Sequence, residues 1–446
     1  MVESVYWNPK NETLPREELR ALQLRKLQRL CAWAYATTPF HRRRWDAAGF
    51  HPDQIKTLDD IRRIPYMTRE EWMDAQVERP MFGDLLATDP TNAIRYHLTS
   101  GTSGRTPIRV LDSMKDWEWI AEMWCYGFWG FGVRPTDTVY FAFGYGSFIG
   151  FWGAHYASEK IGALVIPGGA QTTEARVKQI VEMGVTTVAS TPTYALRLWQ
   201  QATEMGIDLA RGSKVNKLIL SGEPAGSIPA VKRQLEEAWG ALCGDSAGMT
   251  EIGTIMIFEC ARQPGGTHII EDHFIEEVID PETEEPVPYG TLGERVVTSF
   301  GRGFIPLIRY RAKDIVLKVP HTACTCGRTG DLYEGGIRGR FDDMKLIRGT
   351  NVYPRAVESI VREYPAIDEF QIYIHRDGPR DEITIRVELK PGHASEWPEI
   401  ERKLARDLAD AHEGLRFNIE LMPPGNLPRF ELKAKRLVDA RPVAEY

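Results

Sequence analysis

The chain has 446 residues, of which 43% are hydrophobic and 26% charged, and its formal net charge is −7. These values are typical of a globular protein of roughly two or three domains, and they disfavour a nucleic-acid partner bound through a basic surface. There is no run of about 18 apolar residues, which argues against a membrane span. Six cysteines in so long a chain do not suggest a disulfide framework, and no secretory signal is visible, so we expect a cytoplasmic location.

The hydrophobic pattern predicts an N-terminal amphipathic helix from about residue 16 to 36, followed by alternating strands and helices. Buried strands are expected at 138–143, 163–166, 185–189 and 217–220, and helices near 172–184, 193–206 and 228–239. This alternation favours a largely parallel sheet with helices on its faces, and ligands then bind at the carboxyl ends of the strands.

From about residue 276 to 318 the pattern changes to strands and turns, and a break falls near 338–343. The last unit has predicted strands near 368–376, 382–389 and 417–422 and a helix near 396–413. We therefore predict an α/β protein, in which a large N-terminal domain combines mainly parallel sheets with a strand-rich subdomain. A small, mobile α+β domain follows. The expected boundaries are 1–338 for the large domain, 339–343 for a hinge and 344–446 for the small domain.

A loop rich in hydroxyls and glycines, Thr99-Ser100-Gly101-Thr102-Ser103-Gly104, follows a short run that could end a strand. Glycines let several backbone N–H groups point at one anion, and the hydroxyls add donors. The loop therefore suits a polyphosphate, although a solvated loop has the same composition. It lacks the Walker A pattern of P-loop proteins.

Further polar motifs stand at predicted strand ends or turns. They are Tyr6-Trp7-Asn8-Pro9, Thr191-Pro192-Thr193-Tyr194, Ser221-Gly222-Glu223-Pro224, Asp245-Ser246-Ala247-Gly248-Met249-Thr250-Glu251, Tyr310-Arg311-Ala312-Lys313-Asp314, Gly339-Arg340-Phe341-Asp342-Asp343, Gly349-Thr350-Asn351-Val352-Tyr353-Pro354 and Leu427 to Arg436. In this order and spacing the set resembles the adenylate-forming ligase superfamily. Within it, almost the whole chain is similar to the phenylacetate–CoA ligase family.

The resemblance implies a role for each motif. The loop from Thr99 to Gly104 would hold the phosphates of ATP, and Glu251 would bind Mg²⁺, for which a carboxylate is a suitable hard ligand. Asp314 would accept the two ribose hydroxyls. Lys433 would contact the substrate carboxylate and the α-phosphate. The remaining nucleotide-site residues implied are Gly222, Glu223, Pro224, Asp245, Ser246, Ala247, Thr250 and Arg340, with Asp342 in the hinge and Gly349 along the coenzyme A tunnel.

The implied reaction has two steps. A carboxylate attacks ATP to give an acyl-adenylate and pyrophosphate, and a thiol, that of coenzyme A, then displaces AMP while the small domain rotates. One alternative is transfer to an amine or a carrier-protein thiol. Another is a non-catalytic protein that binds an aryl acid or acyl-adenylate. A homodimer is compatible with the resemblance.

Aromatic residues cluster with glycines between residues 143 and 156. Stacking and apolar burial in such a cluster suit a flat aromatic acid, although the same residues could simply be core. The predicted substrate-binding residues are Tyr145, Phe148, Phe151, Trp152 and His155.

A second constellation is formed by Cys260, His268, Cys324 and Cys326. Three cysteines and one histidine are a common ligand set of structural zinc sites. His273 and His321 compete for the fourth position, and buried free thiols are the alternative reading.

Three positions depart from the family pattern. Ala247 stands where an aromatic residue usually stacks on adenine, Leu432 where a glycine usually precedes the lysine, and Arg105 where a lysine is more usual. These departures indicate a specialised relative of the family that binds the nucleotide somewhat differently.

Overall fold

The computed structural model describes residues 4–99, 107–147, 149–262, 265–378, 380–430 and 434–441, with only the backbone of Pro224. The helices are α1 (Pro9–Glu12), α2 (Arg16–Thr37), α3 (Pro39–Ala47), α4 (Arg69–Glu78), α5 (Met114–Gly130), α6 (Trp152–Ile161), α7 (Thr173–Glu182), α8 (Pro192–Glu204), α9 (Leu209–Gly212), α10 (Pro229–Trp239), α11 (Pro354–Val361) and α12 (Trp397–Ala411). In the ranges just given, none of these helices is long and apolar enough to cross a membrane.

The strands of the first two thirds are β1 (Arg95–Leu98), β2 (Arg109–Asp112), β3 (Thr138–Phe141), β4 (Leu164–Pro167), β5 (Thr187–Ser190), β6 (Lys217–Ser221), β7 (Leu242–Met249), β8 (Thr254–Glu259), β9 (Gly266–Ile269), β10 (Phe274–Ile279) and β11 (Leu292–Ser299). They continue with β12 (Tyr310–Val319), β13 (Leu332–Glu334), β14 (Gly339–Arg340), β15 (Lys345–Ile347), β16 (Thr350–Val352), β17 (Ile367–Asp377), β18 (Arg380–Leu389), β19 (Asn418–Leu421) and β20 (Leu437–Asp439).

One large sheet runs in the order β10-β11-β12-β13-β9-β8-β7-β6-β5-β3-β4, with β14 paired to β12. The strands from β4 to β7 are parallel, as the alternation predicts, and each predicted strand of this region is present. After β7 the chain reverses at Thr250–Gly253, where Gly253 has φ +90°, and β8 runs antiparallel. The parallel part and the strand-rich part are therefore halves of one continuous sheet.

Two buried clusters cover the faces of this sheet. One joins α5 and α6 to the sheet, and the other joins α7, α8 and α10 to the opposite face. In the second cluster the fully buried Trp239 donates its indole N–H to the Ala195 carbonyl at 3.2 Å, so the large side chain is packed without an orphan donor. The predicted N-terminal helix is present as α2, although Trp33 lies on its exposed side at 46% exposure.

The C-terminal part forms a separate sheet in the order β19-β18-β17-β20, covered by α11 and α12. Its buried side chains, from Ile347 to Phe417, pack in a cluster of their own. The strands and helix predicted after residue 366 are all present, and each bound lies within two residues of the predicted one. An α/β N-terminal part followed by a small α+β part is therefore the observed architecture.

Candidate active site

The phosphate-loop motif begins where β1 ends, as predicted. Thr99 is buried, and its backbone N–H donates to the Ile108 carbonyl while its hydroxyl accepts the Ile108 N–H, both at 3.0 Å. These bonds close the β1–β2 hairpin at the base of the loop. Residues 100–106, which include the predicted Ser100, Gly101, Thr102, Ser103 and Gly104 and the departure at Arg105, lie outside the described residues.

Glu251 is buried just beyond the end of β7. Its own carbonyl and that of Thr250 each accept a hydrogen bond from Arg302 at 2.9 Å. Arg302 is itself fixed by two bonds to the buried Asp112, at 2.7 and 2.8 Å. A bidentate buried pair of this kind has little freedom, so the backbone that presents the Glu251 carboxylate is rigidly held.

Two side chains meet the Glu251 carboxylate: Arg69, which no motif includes, and Tyr310, the first residue of the Asp314 motif. Arg69, at the start of α4, forms a salt bridge with it and also donates to the Thr99 hydroxyl at 3.3 Å. The Tyr310 hydroxyl donates to Glu251 Oε1 at 3.3 Å, and burial raises the pKa of this phenol well above its usual value. Arg69 thus contacts both Thr99, at the base of the phosphate loop, and Glu251, the predicted magnesium ligand.

Asp314 lies in β12, in a bulge that shifts the register against β11 between Glu294 and Val296. Lys313 within the bulge has φ +58°, and bulges of this sort re-aim side chains next to binding sites. Asp314 accepts a hydrogen bond from Arg295 at 3.2 Å, and burial raises the pKa of its carboxyl. The predicted ribose ligand is therefore half-buried and pre-oriented.

The segment predicted to flank adenine follows β6, as expected, and Gly222 has φ +94°, which a glycine adopts readily. The Asp245 motif differs from the prediction. Asp245, Ser246 and Ala247 lie within β7, and only Thr250 and Glu251 come after that strand. The motif is therefore not a strand-end loop, because hydrogen bonds from the Ser221 and Ser246 hydroxyls fasten it to β6 at 2.9 and 3.1 Å.

Asp245 is buried within β7. Burial, with a contribution from Glu259, raises the pKa of its carboxyl to about 8. The carboxylate packs so closely against Gly226 and Gly336 that a Cβ on either glycine would stand 2.7 or 3.0 Å from it. The positive charge of Arg355 of α11 opposes this rise in pKa, and Arg355 donates to the Ser227 hydroxyl at 2.6 Å and to the Gly335 carbonyl at 2.9 Å.

The predicted substrate-binding aromatics are brought together. Phe143 and Phe151 have ring centroids 4.7 Å apart, and Tyr145 and Trp152 likewise 4.7 Å in an edge-to-face contact. The Tyr145 hydroxyl is 2.9 Å from His155 Nδ1, which leaves one polar pair in an apolar cluster. Phe148 lies outside the described residues.

The hinge motif contains a self-contained ion pair, in which Arg340 donates two bonds of 2.9 Å to Asp342. Arg340 also lies opposite Asp314 in the β12–β14 ladder. Gly349 occupies the turn between β15 and β16, where Arg348 has φ +50° and Gly349 φ +89°. Two positive φ values are typical of a type I′ hairpin, and a Cβ on Gly349 would meet nothing within 4 Å here. Leu432 and Lys433 lie outside the described residues.

The cysteine and histidine constellation is assembled as predicted. One ligand atom from each of Cys260, His268, Cys324 and Cys326 lies within 4.8 Å of the others. The pairing of β9 with β13 sets His268 opposite Leu332, close to the cysteine turn. The competing histidines point elsewhere: the Trp119 indole donates to His273 Nδ1 at 3.0 Å, and His321 lies beside Asp331.

The first residues of the chain are fastened to this cysteine turn. The Tyr6 hydroxyl donates to the Cys326 carbonyl at 2.7 Å, and Arg328 donates to the Glu12 carboxylate at 2.6 Å. The Thr329 N–H adds a bond to the Glu12 carbonyl at 3.0 Å. The turn is thus packed between the sheet and the N-terminal segment.

Comparison with known proteins agrees with this arrangement. The sequence profile described as AMP-binding enzyme C-terminal domain matches residues 349–441. The phenylacetate-coenzyme A ligase of Thermus thermophilus is 35% identical over 98% of this chain and 99% of its own length. The enzyme of that name from Escherichia coli is 32% identical over 97% of both chains.

The chain belongs to the phenylacetate-coenzyme A ligase family. This confirms the identification of an adenylate-forming acid–thiol ligase from its motifs. The family fold extends to solved structures: a 2-hydroxyisobutyryl-CoA ligase in the postadenylation state, in complex with 2-HIB-AMP, superposes with a TM-score of 0.92 at 31% identity. That superposition covers 98% of this chain and 93% of the other.

The same ligase in its thioesterification state, with 2-HIB-AMP and CoA, superposes with a TM-score of only 0.75 at 32% identity. Since the sequence identity is nearly the same, the lower score reflects a different arrangement of the parts of the chain. The present arrangement therefore resembles the postadenylation state of that ligase more than its thioesterification state.

Proposed function

We propose that this protein activates an aromatic carboxylic acid with ATP, through an acyl-adenylate, and transfers the acyl group to coenzyme A. The observation that supports this most is the meeting of Glu251, Arg69 and the Thr99 loop base at the end of β7, with Asp314 pre-oriented on β12. The relatives named above are phenylacetate-coenzyme A ligases, which favours an aryl acid.

In the first step a substrate carboxylate oxygen attacks the α-phosphorus of ATP and pyrophosphate leaves. Asp314 would hold the ribose hydroxyls, while Arg69 and the loop donors would orient the phosphates for in-line attack. Lys433 would approach the α-phosphate from the C-terminal part. In the second step the thiol of coenzyme A attacks the acyl carbon and AMP leaves, with Gly349 beside the thiol path.

Magnesium fits the residues that are present. Glu251 offers a carboxylate beside the phosphate loop, and Mg²⁺ is usually held by one or two carboxylates together with phosphate oxygens and water. Once bound with ATP, the ion would neutralise negative charge that develops on the phosphates. Glu251 would keep its position throughout because Arg302 fixes its backbone.

The aromatic cluster from Phe143 to Trp152 would accept the acid. A small hydroxy acid is the second candidate, because the superposed ligase carries 2-HIB-AMP and because Tyr145 and His155 form a polar pair in the cluster. The two classes differ in size and polarity, so a panel of acids separates them.

The test is pyrophosphate release with phenylacetate, benzoate and 2-hydroxyisobutyrate, each with and without coenzyme A. We expect acid-dependent pyrophosphate in both conditions and a thioester only with coenzyme A. Glu251→Gln should remove the activity, and Glu182→Gln, an exposed change on α7, should leave it intact. No acid-dependent pyrophosphate would contradict the proposal, and an amide in place of a thioester would favour an amine acceptor.

We further propose that the Cys260, His268, Cys324 and Cys326 cluster holds a structural zinc ion. Four soft or borderline donors within 4.8 Å of one another are the ligand set of closed tetrahedral zinc sites. A homodimer and a cytoplasmic location stay predictions, to be tested by light scattering and by cell fractionation.

A further inference from the structure

Glu223 connects the two parts of the chain through both oxygens of its carboxylate. Oε2 accepts the Thr193 hydroxyl at 2.7 Å and the Thr193 backbone N–H at 3.3 Å, at the start of α8 in the N-terminal part. Oε1 accepts the backbone N–H of Ala434, in the C-terminal part, at 2.8 Å. One side chain thus bridges the two parts with its hydrogen-bonding capacity in use on both sides.

The C-terminal end of this bridge is next to the residue expected to act on the α-phosphate. Ala434 directly follows Lys433, so the Cα of Lys433 is two covalent bonds from the nitrogen that Glu223 holds. A hydrogen bond to a carboxylate is shorter and stronger than one between neutral groups. Glu223 therefore restrains the backbone at Ala434, the residue that follows Lys433 in the sequence.

The residues on either side of Lys433 and Ala434 have partners of a different kind. Arg429, which precedes them, pairs with Asp368 and Glu388 at 2.7 Å, and Arg436, which follows them, pairs with Glu369 at 2.7 Å. These partners all belong to the C-terminal part and would travel with it. The bond from Ala434 to Glu223 reaches across to the N-terminal part instead.

We propose that Glu223 is a positioning residue for adenylation, which holds the peptide after Lys433 against the nucleotide-binding part and releases it when the C-terminal part is rearranged for thioester formation. This rests on the proposed function. The resemblance implied that Glu223 lies beside adenine. Its carboxylate instead accepts hydrogen bonds from Thr193 and Ala434, which gives the side chain a different role. Contact with adenine would fall to the backbone of the segment.

The arrangement in which the bond exists is the one similar to the postadenylation structure, with a TM-score of 0.92 against 0.75 for the thioesterification structure. Glu223 belongs to the part that carries the sheet, and Ala434 to the part matched by the C-terminal domain profile. A rotation of the C-terminal part relative to the sheet would separate the Ala434 N–H from the Glu223 carboxylate. The proposal therefore assigns this contact to adenylation and its loss to thioester formation.

The experiment measures the half-reactions separately in Glu223→Ala and Glu223→Gln. Adenylation is followed by acid-dependent exchange of pyrophosphate into ATP, and thioester formation by reaction of synthetic phenylacetyl-adenylate with coenzyme A. The control is Glu363→Gln, which removes an exposed ion pair between the two parts, Arg233 to Glu363 at 3.0 Å. Exposed pairs contribute little, so this control should resemble the wild type.

We expect Glu223→Ala to lower the kcat of adenylation by roughly ten-fold or more, about 1.4 kcal/mol, with less than roughly three-fold change in thioester formation and in the KM for ATP. Glu223→Gln keeps one acceptor and should recover part of the loss. Equal loss in both half-reactions would overturn the proposal, as would an increase in the KM for ATP without a fall in kcat, since that identifies a nucleotide contact.

A second measurement does not depend on turnover. Spin labels attached through ketone-bearing residues at positions 178 on α7 and 399 on α12, both exposed, report the distance between the two parts. Glu223→Ala should shift or broaden the distribution, and Glu363→Gln should not. If the wild type releases no acid-dependent pyrophosphate, the proposed function fails, and an unchanged distribution in Glu223→Ala overturns the proposal for Glu223 by itself.

Discussion

Replacing Cys324 with serine should release the proposed zinc ion and lower the thermal stability of the protein. The ion would link Cys260 to Cys324, which are 64 positions apart. In the chain-entropy description, closing a loop of that length stabilises the folded state by about 4 kcal/mol. For a chain of 446 residues, the entropy of unfolding is about 0.9 kcal/mol/K, so the midpoint temperature should fall by about 4 to 5 °C.

The assay combines zinc content per chain, determined by plasma mass spectrometry on protein purified without chelators, with a thermal unfolding scan. The matched control is Cys243→Ser, because Cys243 is equally a buried thiol but lies on β7, outside the cluster. Both variants replace a buried sulfur with an oxygen, and only Cys324→Ser should lose zinc. Less than half an equivalent of zinc in the wild type, or equal falls in midpoint for both variants, would refute the reasoning.

Three further outcomes are expected. Lys433→Ala should abolish acid-dependent pyrophosphate exchange while thioester formation from supplied adenylate changes far less, and equal loss of both would contradict the role given to Lys433. Arg69→Ala should reduce kcat/KM for ATP by roughly ten-fold or more, because charged hydrogen bonds beside Glu251 are removed, and Arg69→Lys should restore part of it in the same exchange assay. Burial raises the pKa of Asp245 to about 8, so the unfolded chain loses this proton at lower pH than the folded chain does. The free energy of unfolding should therefore contain a component that falls as pH rises from about 4 to about 8. Asp245→Asn should remove this component, and unfolding scans of both proteins across that range would show parallel pH dependences if the reasoning is wrong.

Much of the fold follows from local pattern. The alternation of apolar strands and amphipathic helices between residues 138 and 239 predicted the parallel half of the sheet, because side-chain periodicity is set within each element. The continuity of that half with the strand-rich half could not be predicted. It depends on the reversal at Gly253 and on the pairing of β8 with β9, which are long-range choices that no single segment encodes.

In the candidate site too, local motifs were predictable and long-range contacts were not. Motifs identified Glu251 and Asp314, but Arg69 stands 182 positions before Glu251 in a sequence that carries no signal beyond an ordinary helix start. The fourth member of the cysteine cluster was open among three histidines until the register of β9 against β13 selected His268. A residue that belongs to a local motif can be predicted from the sequence. A residue that reaches the site only because distant segments pack together is identified from the structure.

The attachment of the first residues to the cysteine turn has a consequence for synthesis of the chain. The Tyr6 hydroxyl and the Glu12 carboxylate bind partners 320 and 316 positions later. A ribosome that adds about 5 to 20 residues per second needs roughly 16 to 63 s to deliver those partners. During that interval Tyr6 and Glu12 lack these partners, and of the contacts of this segment only those to α5, such as Trp7 with Glu122 and Trp129, can form early. Chaperones that bind nascent chains would meet Tyr6 and Glu12 without their final partners long after α2 has been made.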